Sequence, residues 1–308
     1  MLRAFLLYFS ESPTLRALAE RSSLGQRLSS RFVAGTGVED ALRVTAALNA
    51  AGLSVSIDNL GENVITREEA RQGAELYRQL FCEISRRKLN ANVSLKLTHM
   101  GLDLDPQLAR ENVAALVSQA SGIEPPNFVR VDMEGSAYTD RTLDLVSELH
   151  AKPGNRERVG AVIQSYLRRS EKDVTRLLDR GIRIRLCKGA YNEPPEIAFP
   201  TKSEVDANYL RLMRTLLRSG IYHGLATHDE NIVREVQVFA KRENIRRDSF
   251  EFQMLYGIRR DLQQALVRDG WRVRVYLPFG SEWYPYLVRR LAERPANLLF
   301  VARHLLRS

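Results

Sequence analysis

The segment Gly181-Ile182-Arg183-Ile184-Arg185-Leu186 shows the unit that is repeated along the rest of the chain. Its glycine can take the left-handed conformation that ends an α-helix, and the β-branched and apolar residues after it favour a strand. The same order of a helix stop and a short apolar run recurs at Gly220 and Gly270. This alternation is typical of parallel βα units.

Eight short apolar runs follow one another, with longer amphipathic stretches between them. The predicted strands are Leu53–Ile57, Val93–Leu97, Phe128–Val131, Gly160–Ile163, Ile182–Leu186, Gly224–Ala226, Phe250–Gln253 and Val273–Leu277. Eight units favour a closed (β/α)8 TIM-type barrel over a doubly wound sheet, whose dinucleotide-binding form carries a glycine fingerprint after its first strand. Gly35-Thr36-Gly37 follows helical sequence instead and is interpreted as an ordinary turn.

Length and composition fit a single globular α/β domain. The chain has 308 residues, of which 44% are hydrophobic and 27% charged, and a barrel of this class commonly spans roughly 200 to 400 residues. Residues 1–50 predict a helical arm, with Ser12 and Pro13 as its cap and first turn and apolar side chains at helical spacing through Leu15, Leu18 and Leu28. Residues 51–308 are then predicted to form the barrel.

The first residues do not resemble a signal peptide, and the cysteines suit a reducing compartment, so the sequence predicts a cytoplasmic protein. The two cysteines, Cys82 and Cys187, have no metal-site or redox spacing, and no apolar run reaches the roughly 20 residues that span a bilayer. The first nine residues read as a short amphipathic helix. A net charge of +9 fits nucleic acid, acidic lipid surfaces, or phosphorylated and carboxylated ligands without choosing among them, so contact with the inner face of the cell membrane stays open.

Polar side chains occupy the predicted C-terminal ends of all eight strands, where a barrel of this class builds its active site. A polar residue at one strand end is ordinary, but polar residues at all eight strand ends indicate a site. The residues are Asp58, Asn59, Lys96, Asp132, Glu134, Gln164, Arg185, Lys188, Thr227, His228, Asp229, Gln253 and Tyr276.

Two of these residues are long cations inside strands that are otherwise suited to burial. Lys96 and Arg185 each need an anionic partner or ligand, because a buried charge is costly without one. Asp132 lies on the strand next to that of Lys96 and is the partner that we expect for it.

The helix after the last strand carries a second group of charged residues. Tyr286, Arg289, Arg290 and Glu293 stand at positions i, i+3, i+4 and i+7, so they share one helix face. Two guanidiniums on one face suit a carboxylate ligand. Spacing alone also fits a solvated Arg–Glu ladder, so both interpretations stay open here.

Four ordered motifs resemble the proline dehydrogenase family, in its monofunctional bacterial form. The motif residues are Arg185-Leu186-Cys187-Lys188-Gly189-Ala190-Tyr191 after strand five, Ala226-Thr227-His228-Asp229 at strand six, Glu251-Phe252-Gln253-Met254-Leu255-Tyr256-Gly257 at strand seven, and Tyr286 through Glu293 on the final helix. The resemblance extends from Leu53 to Glu293.

The resemblance implies noncovalently bound FAD in a distorted barrel whose last helix lies over the mouth. Arg185 would lie beside the reactive nitrogen of the flavin. The implied cofactor-binding residues are Asp132, Gln164, Arg185, Lys188, Gly189, Ala190, Thr227, His228, Gln253 and Glu293. The implied substrate-binding residues are Lys96, Ala190, Tyr191, Leu255, Tyr276, Tyr286, Arg289 and Arg290. The implied catalytic residues are Lys96, Asp132, Arg185, Tyr276, Arg289, Arg290 and Glu293.

The reaction that the resemblance implies is oxidation of L-proline to Δ1-pyrroline-5-carboxylate by hydride transfer to the flavin. Electrons would pass to a membrane quinone, with transient membrane contact, and a separate pyrroline-5-carboxylate dehydrogenase would oxidise the product. Tyr276 favours proline over hydroxyproline, because relatives that accept the hydroxyl tend to lack a bulky tyrosine there. The pair His228-Asp229 departs from the His-Asn of some members and leaves the local cofactor contact open.

Two other functions are alternatives to this one. A methylenetetrahydrofolate reductase-like enzyme is another flavin barrel, but the adjacent Arg289 and Arg290 argue against it. A basic nucleic-acid-binding protein would cluster its cations with aromatic residues on one face, whereas this chain spreads them over many helices. His228 is not expected to bind a metal, since the other histidines are scattered.

Overall fold

Eight parallel strands close into one barrel in the order in which they occur in the chain, as β8 pairs with β1. The computed structural model describes residues 22–61 and 64–293. The strands are β1 (Ser54–Asn59), β2 (Ala91–Leu95), β3 (Val129–Val131), β4 (Val159–Gln164), β5 (Arg183–Cys187), β6 (His223–Ala226), β7 (Phe250–Leu255) and β8 (Val273–Phe279). All eight predicted strands are confirmed with shifted bounds, and Lys96 lies just after β2 instead of inside it.

Most of the described helices cover the outside of this barrel and connect its strands. In chain order they are α1 (Ser23–Phe32), α2 (Val38–Ala50), α3 (Arg67–Arg86), α4 (Pro106–Gly122), α5 (Thr139–Ala151), α6 (Ser170–Leu178), α7 (Lys202–Arg218), α8 (Glu230–Arg242), α9 (Arg260–Arg268) and α10 (Trp283–Glu293).

Local sequence explains where these helices begin and end. The Thr201 side chain accepts a hydrogen bond from the Glu204 N–H while the Glu204 carboxylate accepts from the Thr201 N–H, which fixes the start of α7. Gly181, Gly220 and Gly270 have φ angles of +73°, +73° and +79°, so all three adopt the left-handed conformation predicted for them.

The two faces of the barrel wall have opposite chemistry. Side chains on the outer face of β7, Phe250 and Phe252, are buried beneath the helices and pack edge-on or tilted against Trp271, with ring centroids 5.6 and 5.7 Å apart. Glu251 and Gln253 alternate with them and lie on the inner face, because side chains of a strand point to opposite sides in turn. The apolar core therefore lies between strands and helices, and the barrel interior is polar.

Helix α2 packs against β1 and β8 on the outside of the barrel, and its Ala41 and Leu42 are buried in the main core. It thus occupies the outer-wall position beside the first and last strands. Ser12, Pro13, Leu15 and Leu18 lie outside the described residues, as does the side chain of Leu28. The division into an arm of residues 1–50 and a barrel of residues 51–308 stays a prediction.

The last helix, α10, packs at the C-terminal ends of the strands. Its Trp283, Tyr284 and Tyr286 form a second apolar cluster with Phe32 of α1 and with Leu60, which follows β1. The Leu60 N–H donates to the Phe279 carbonyl at the end of β8, 2.8 Å away. This arrangement confirms the predicted barrel with its last helix placed over the mouth.

Candidate active site

A cavity of about 650 Å³ opens at the C-terminal ends of the strands. This volume lies in the range of ordinary ligand pockets. The predicted site residues that line it are Lys96, Asp132, Gln164, Arg185, Lys188, Gly189, Ala190, Tyr191, Thr227, His228, Gln253, Leu255 and Tyr276. The fold therefore brings together side chains that seven different strands and their following loops contribute.

Arg185 forms the floor of this cavity and is 6% exposed. Its Nη1 donates to Asp132 Oδ1 at 2.6 Å and to Ser94 Oγ at 2.9 Å, and its Nη2 donates to Ser56 Oγ at 3.2 Å. Its Nε donates to Gln253 Oε1. Contacts from four strands thus fix the plane of the guanidinium before any ligand binds.

Asp132 is the carboxylate that neutralises this guanidinium. Its Oδ1 accepts from Arg185 and, at 3.1 Å, from Ser94 Oγ, while its Oδ2 accepts from the Tyr276 hydroxyl at 2.8 Å. Burial, together with the negative charges of Asp132 and Asp58, raises the pKa of Tyr276 well above its ordinary value. Tyr276 therefore stays a neutral phenol that donates to Asp132, and its ring lies 5.2 Å from the Arg185 guanidinium carbon.

Lys96 contacts a different carboxylate from the one expected. Its Nζ lies 3.3 Å from Oδ2 of Asp58, which follows from β1 being the other neighbour of β2. The expected contact with Asp132 is not seen, because that carboxylate faces Arg185. The Tyr77 hydroxyl lies 3.5 Å from Asp58 Oδ1 and donates to the Ser94 carbonyl at 2.8 Å, so it supports Asp58 from outside the cavity.

A second group of charges surrounds Lys188 at the rim. Lys188 Nζ lies 2.5 Å from Asp206 Oδ1 and 3.0 Å from Asp229 Oδ2, and Lys202 Nζ lies 3.3 Å from the same Asp229 oxygen. Burial would raise the pKa of Asp229, but the hydrogen bonds and charges of Lys188 and Lys202 outweigh it and lower this pKa to about 2. Asp229 therefore stays ionised beside Lys188, and both side chains line the cavity.

The loop after β5 turns sharply at Gly189, whose φ is +106°. A Cβ at this position would lie 2.2 Å from a ring atom of Tyr166, so only glycine fits. The Tyr166 N–H donates to the Lys188 carbonyl at 2.9 Å. The turn brings Ala190 and Tyr191 to the cavity wall, where Tyr191 is 41% exposed.

The remaining polar residues of the rim are held by backbone groups. Gln164 donates its amide N–H to the Glu134 carbonyl at 2.9 Å. His228 Nε2 accepts the Leu255 N–H at 2.9 Å, and Thr227 Oγ1 accepts the Asp229 N–H at 3.1 Å. These bonds fix side-chain orientation in the manner of a preformed binding site.

The predicted residues of α10 are not in the described lining of this cavity. Tyr286 is 7% exposed and belongs to the second apolar cluster. Arg289, Arg290 and Glu293 lie in α10, but their side chains are outside the described part of the structure.

The sequence interpretation missed Ser56 and Ser94, two small hydroxyls that contact Arg185 inside the barrel. The signal was present, because Ser56 precedes Asp58 by two residues and Ser94 precedes Lys96 by two. Alternation with a period of two places each pair on the same face of its strand. Cys187 also lines the cavity, where burial raises the pKa of its thiol to about 12 and keeps it protonated.

The donors of this cavity fit an anionic ligand rich in ring nitrogens and oxygens, such as the predicted FAD. Arg185 and Lys188 supply cations, and Gln164, Gln253 and Thr227 supply amide and hydroxyl groups. The turn at Gly189, which packs against the Tyr166 ring, sets the course of the loop that carries Lys188 and Ala190 to the cavity.

Comparison with known proteins supports one family. A family model described as proline dehydrogenase matches residues 41–303. The chain belongs to the proline dehydrogenase family. The resemblance found in the four sequence motifs is thus confirmed, and so is the expectation of an oxidoreductase. The match supports neither the folate-enzyme alternative nor the nucleic-acid-binding one.

Relatives in the proline dehydrogenase family match nearly the whole chain. Proline dehydrogenase 2 of Bacillus subtilis is 40% identical over 97% of this chain and 96% of its own length. Proline dehydrogenase of Deinococcus radiodurans is 39% identical over 99% of this chain and 98% of its own length. The crystal structure of proline utilization A from Bdellovibrio bacteriovorus, inactivated by N-propargylglycine, is 27% identical with a TM-score of 0.82. That match covers 87% of this chain and 33% of the larger protein.

Proposed function

We propose that this chain is an FAD-dependent proline dehydrogenase that oxidises L-proline to Δ1-pyrroline-5-carboxylate. The observation that carries the proposal is the Arg185 guanidinium at the cavity floor, held by Asp132, Ser56, Ser94 and Gln253. A cation fixed in this way is suited to the flavin ring, because its position costs no reorganisation when charge develops. Bound FAD would supply the hydride acceptor that no amino-acid side chain provides.

The protein's part in this reaction is to bind and orient the substrate. Lys96 at the cavity wall, with Arg289 and Arg290 of α10, would hold the proline carboxylate. The amine must lose its proton before hydride leaves the neighbouring ring carbon, since an iminium forms there. Cations around the carboxylate disfavour another positive charge and so lower the pKa of the bound amine. Leu255, Tyr276 and Tyr191 would enclose the ring, and Tyr276 would disfavour hydroxyproline.

Other predicted residues would hold the cofactor. Gln164, Thr227, His228 and Gln253 would contact the flavin, and Lys188 would contact its phosphates. Asp132, Gly189 and Ala190 complete the cofactor set on this side, and Glu293 of α10 completes it on the other.

Electrons would leave the reduced flavin for a membrane quinone. Among the described residues, four of the five exposed large apolar side chains lie in loops that follow strands, on the side of the cavity mouth: Ile65, Leu104, Tyr191 and Ile197. Apolar side chains on one face of a basic protein suit brief contact with an anionic membrane surface. No helix in the described ranges is long and apolar enough to cross a bilayer. The protein would reside in the cytoplasm, and a separate pyrroline-5-carboxylate dehydrogenase would oxidise its product.

An absorbance spectrum from about 300 to 550 nm tests cofactor and substrate together, since the flavin bands report both. Anaerobic L-proline should bleach the flavin bands. Arg185→Met should slow this bleaching, while Lys96 would still hold the carboxylate of proline. A yellow protein that proline does not bleach would refute the proposal that proline is the substrate. A colourless protein that cannot be reconstituted with FAD would refute the whole proposal.

Membrane contact has its own test. Liposomes that contain anionic lipid and quinone should bind the protein, and the double change Ile65→Ser and Ile197→Ser should weaken this binding. Val238 is a matched control, because it is 57% exposed but lies on α8, away from the mouth loops. Equal binding by the double variant and by Val238→Ser would contradict a role for the mouth.

A further inference from the structure

A buried ion pair lies inside the barrel, one residue layer below the cavity floor. Arg274 Nε of β8 lies 2.7 Å from Glu251 Oε1 of β7, and their side chains are 13% and 5% exposed. Arg274 Nη1 donates to the Val55 carbonyl at 2.7 Å, and the Tyr222 hydroxyl donates to Glu251 Oε2 at 2.9 Å. Burial would raise the pKa of Glu251, but the charge and hydrogen bond of Arg274 outweigh it, so this pKa is lowered and Glu251 stays ionised.

This pair connects to the cavity floor through one amide. Gln253 Nε2 donates to Glu251 Oε1 at 2.6 Å, and Gln253 Oε1 accepts from Arg185 Nε. An ionised carboxylate can only accept hydrogen bonds and a guanidinium N–H can only donate them, so the amide has one satisfied orientation. Glu251 thereby fixes which atom of Gln253 faces Arg185.

Space for this amide comes from a glycine on the neighbouring strand. Gly224 of β6 pairs in register with Arg185 on one side and Glu251 on the other. A Cβ at Gly224 would lie 2.3 Å from Nε2 and 2.7 Å from Cδ of Gln253. Any larger residue would therefore push the amide out of line with both of its partners.

We infer that Glu251, held by Arg274, is a positioning residue for Arg185 that acts through the Gln253 amide in the space left by Gly224. The inference rests on the proposed function, in which the Arg185 guanidinium lies beside the flavin. Glu251 itself lies below the floor and has no part in the cavity lining.

Loss of the Glu251 charge would free the amide to turn. Its N–H group would then face Arg185 Nε, where two donors meet, and Arg185 would lose one of its four fixed contacts. A guanidinium beside the flavin stabilises the negative charge gained on reduction, so its displacement lowers the midpoint potential. A misplacement of about 1 Å can reduce a rate on the order of a hundredfold.

Three variants test this connection. Glu251→Gln removes the charge but leaves Arg274 buried without its counter-ion, which endangers folding. The double variant Glu251→Gln with Arg274→Met removes both charges, so the net charge inside the barrel is unchanged. Gly224→Ala displaces the amide without changing any polar group. Gly122→Ala is its control, because a Cβ at this exposed helix end meets nothing within 4 Å.

We expect the folded Glu251 and Gly224 variants to bind FAD but to reduce it about tenfold more slowly with proline, while the KM for proline changes less than about twofold. The midpoint potential should fall by about 30 mV, which is a tenfold change for a two-electron couple. Gly122→Ala should match the parent protein in all three measurements. A folded Gly224→Ala protein with unchanged potential and unchanged reduction rate would overturn the inference.

A measurement without cofactor separates this inference from the proposed function. The Nε–H of Arg185 is held inside the barrel, so its ¹⁵N-resolved NMR signal should exchange slowly with solvent in the cofactor-free protein, with Arg185→Lys providing the assignment. Glu251→Gln/Arg274→Met and Gly224→Ala should shift this signal and speed its exchange. If the parent protein fails to bleach with proline, the proposed function falls while the NMR result stands. An unshifted signal in both variants would refute the positioning role alone.

Discussion

Replacing Asp132 by asparagine tests whether the cavity floor is held together by charge. Asparagine keeps the shape of the side chain and one oxygen, which can still accept from Arg185 and Ser94. Its amide nitrogen would face the Tyr276 hydroxyl, which can reverse its role and accept. The substitution therefore removes the negative charge while leaving hydrogen-bond geometry nearly intact.

Two magnitudes distinguish the possible outcomes of this substitution. If only neutral hydrogen bonds weakened, the free energy of unfolding would fall by about 1 kcal/mol. The side chains of Arg185 and Asp132 are only 7% and 11% exposed, so the substitution instead leaves a buried cation without its counter-ion. Removing one member of such a pair costs about 3 to 5 kcal/mol. Because asparagine retains one oxygen, we expect the free energy of unfolding to fall by about 3 kcal/mol.

Urea unfolding of the cofactor-free protein measures this loss without the added stability of a bound ligand. Asp140→Asn is the matched control, since Asp140 Oδ1 lies 2.5 Å from Arg169 Nη2 but its side chain is 69% exposed. An exposed pair contributes less than about 1 kcal/mol. If Asp132→Asn costs no more than Asp140→Asn, charge does not hold the floor and the reasoning fails.

Three further outcomes follow from the same contacts. Tyr276→Phe removes the hydroxyl that donates to Asp132 Oδ2 and should lower the free energy of unfolding in urea by about 1 to 3 kcal/mol. An unchanged free energy of unfolding would contradict this hydrogen bond. Gly189→Ala drives a Cβ into the Tyr166 ring and should displace the loop that carries Lys188 and Ala190, so FAD binding should weaken by about tenfold or more in a fluorescence titration. Unchanged affinity would show that this turn does not position the cofactor-binding side chains. The pKa of Asp229 is lowered from 3.8 to about 2, so its contacts stabilise the fold above about pH 4 and are lost as pH falls towards 2. Asp229 Oδ1 also accepts the Asn231 N–H at the start of α8, and Asp229→Asn keeps this helix cap. The variant should flatten the fall in unfolding free energy over this pH range, and an unchanged slope would show that other groups cause the fall.

The fold was predictable because its signals are local. Each strand is a short apolar run, and Gly181, Gly220 and Gly270 stop the preceding helices through their own backbone preference. Pairing between side chains was less predictable. Strand β2 has two neighbours in a closed barrel, so Lys96 could face Asp132 on one side or Asp58 on the other. The choice depends on Arg185 of β5, which pairs with Asp132 at the end of β3, two strands away.

Positions that depend on packing between distant segments could not be predicted at all. Helix α2 contacts both β1 and β8, although only β1 follows it closely in sequence. The amphipathic pattern of Val38–Ala50 does not predict that β8 is a neighbour. The same holds for Gly224, which reads as an ordinary strand residue until the amide of Gln253 is seen in the space beside it.

The polar interior explains why these long-range contacts matter for function. Barrels of this class usually fill their interior with branched apolar side chains, which stabilise the fold. Here Arg185, Asp132, Glu251 and Arg274 occupy that space, and buried ion pairs contribute little net stability compared with apolar packing. The apolar core outside the strands must therefore supply most of the folding free energy. What the inner charges add is a fixed orientation for Arg185, because its partners Asp132 and Gln253 are themselves held by Tyr276 and Glu251.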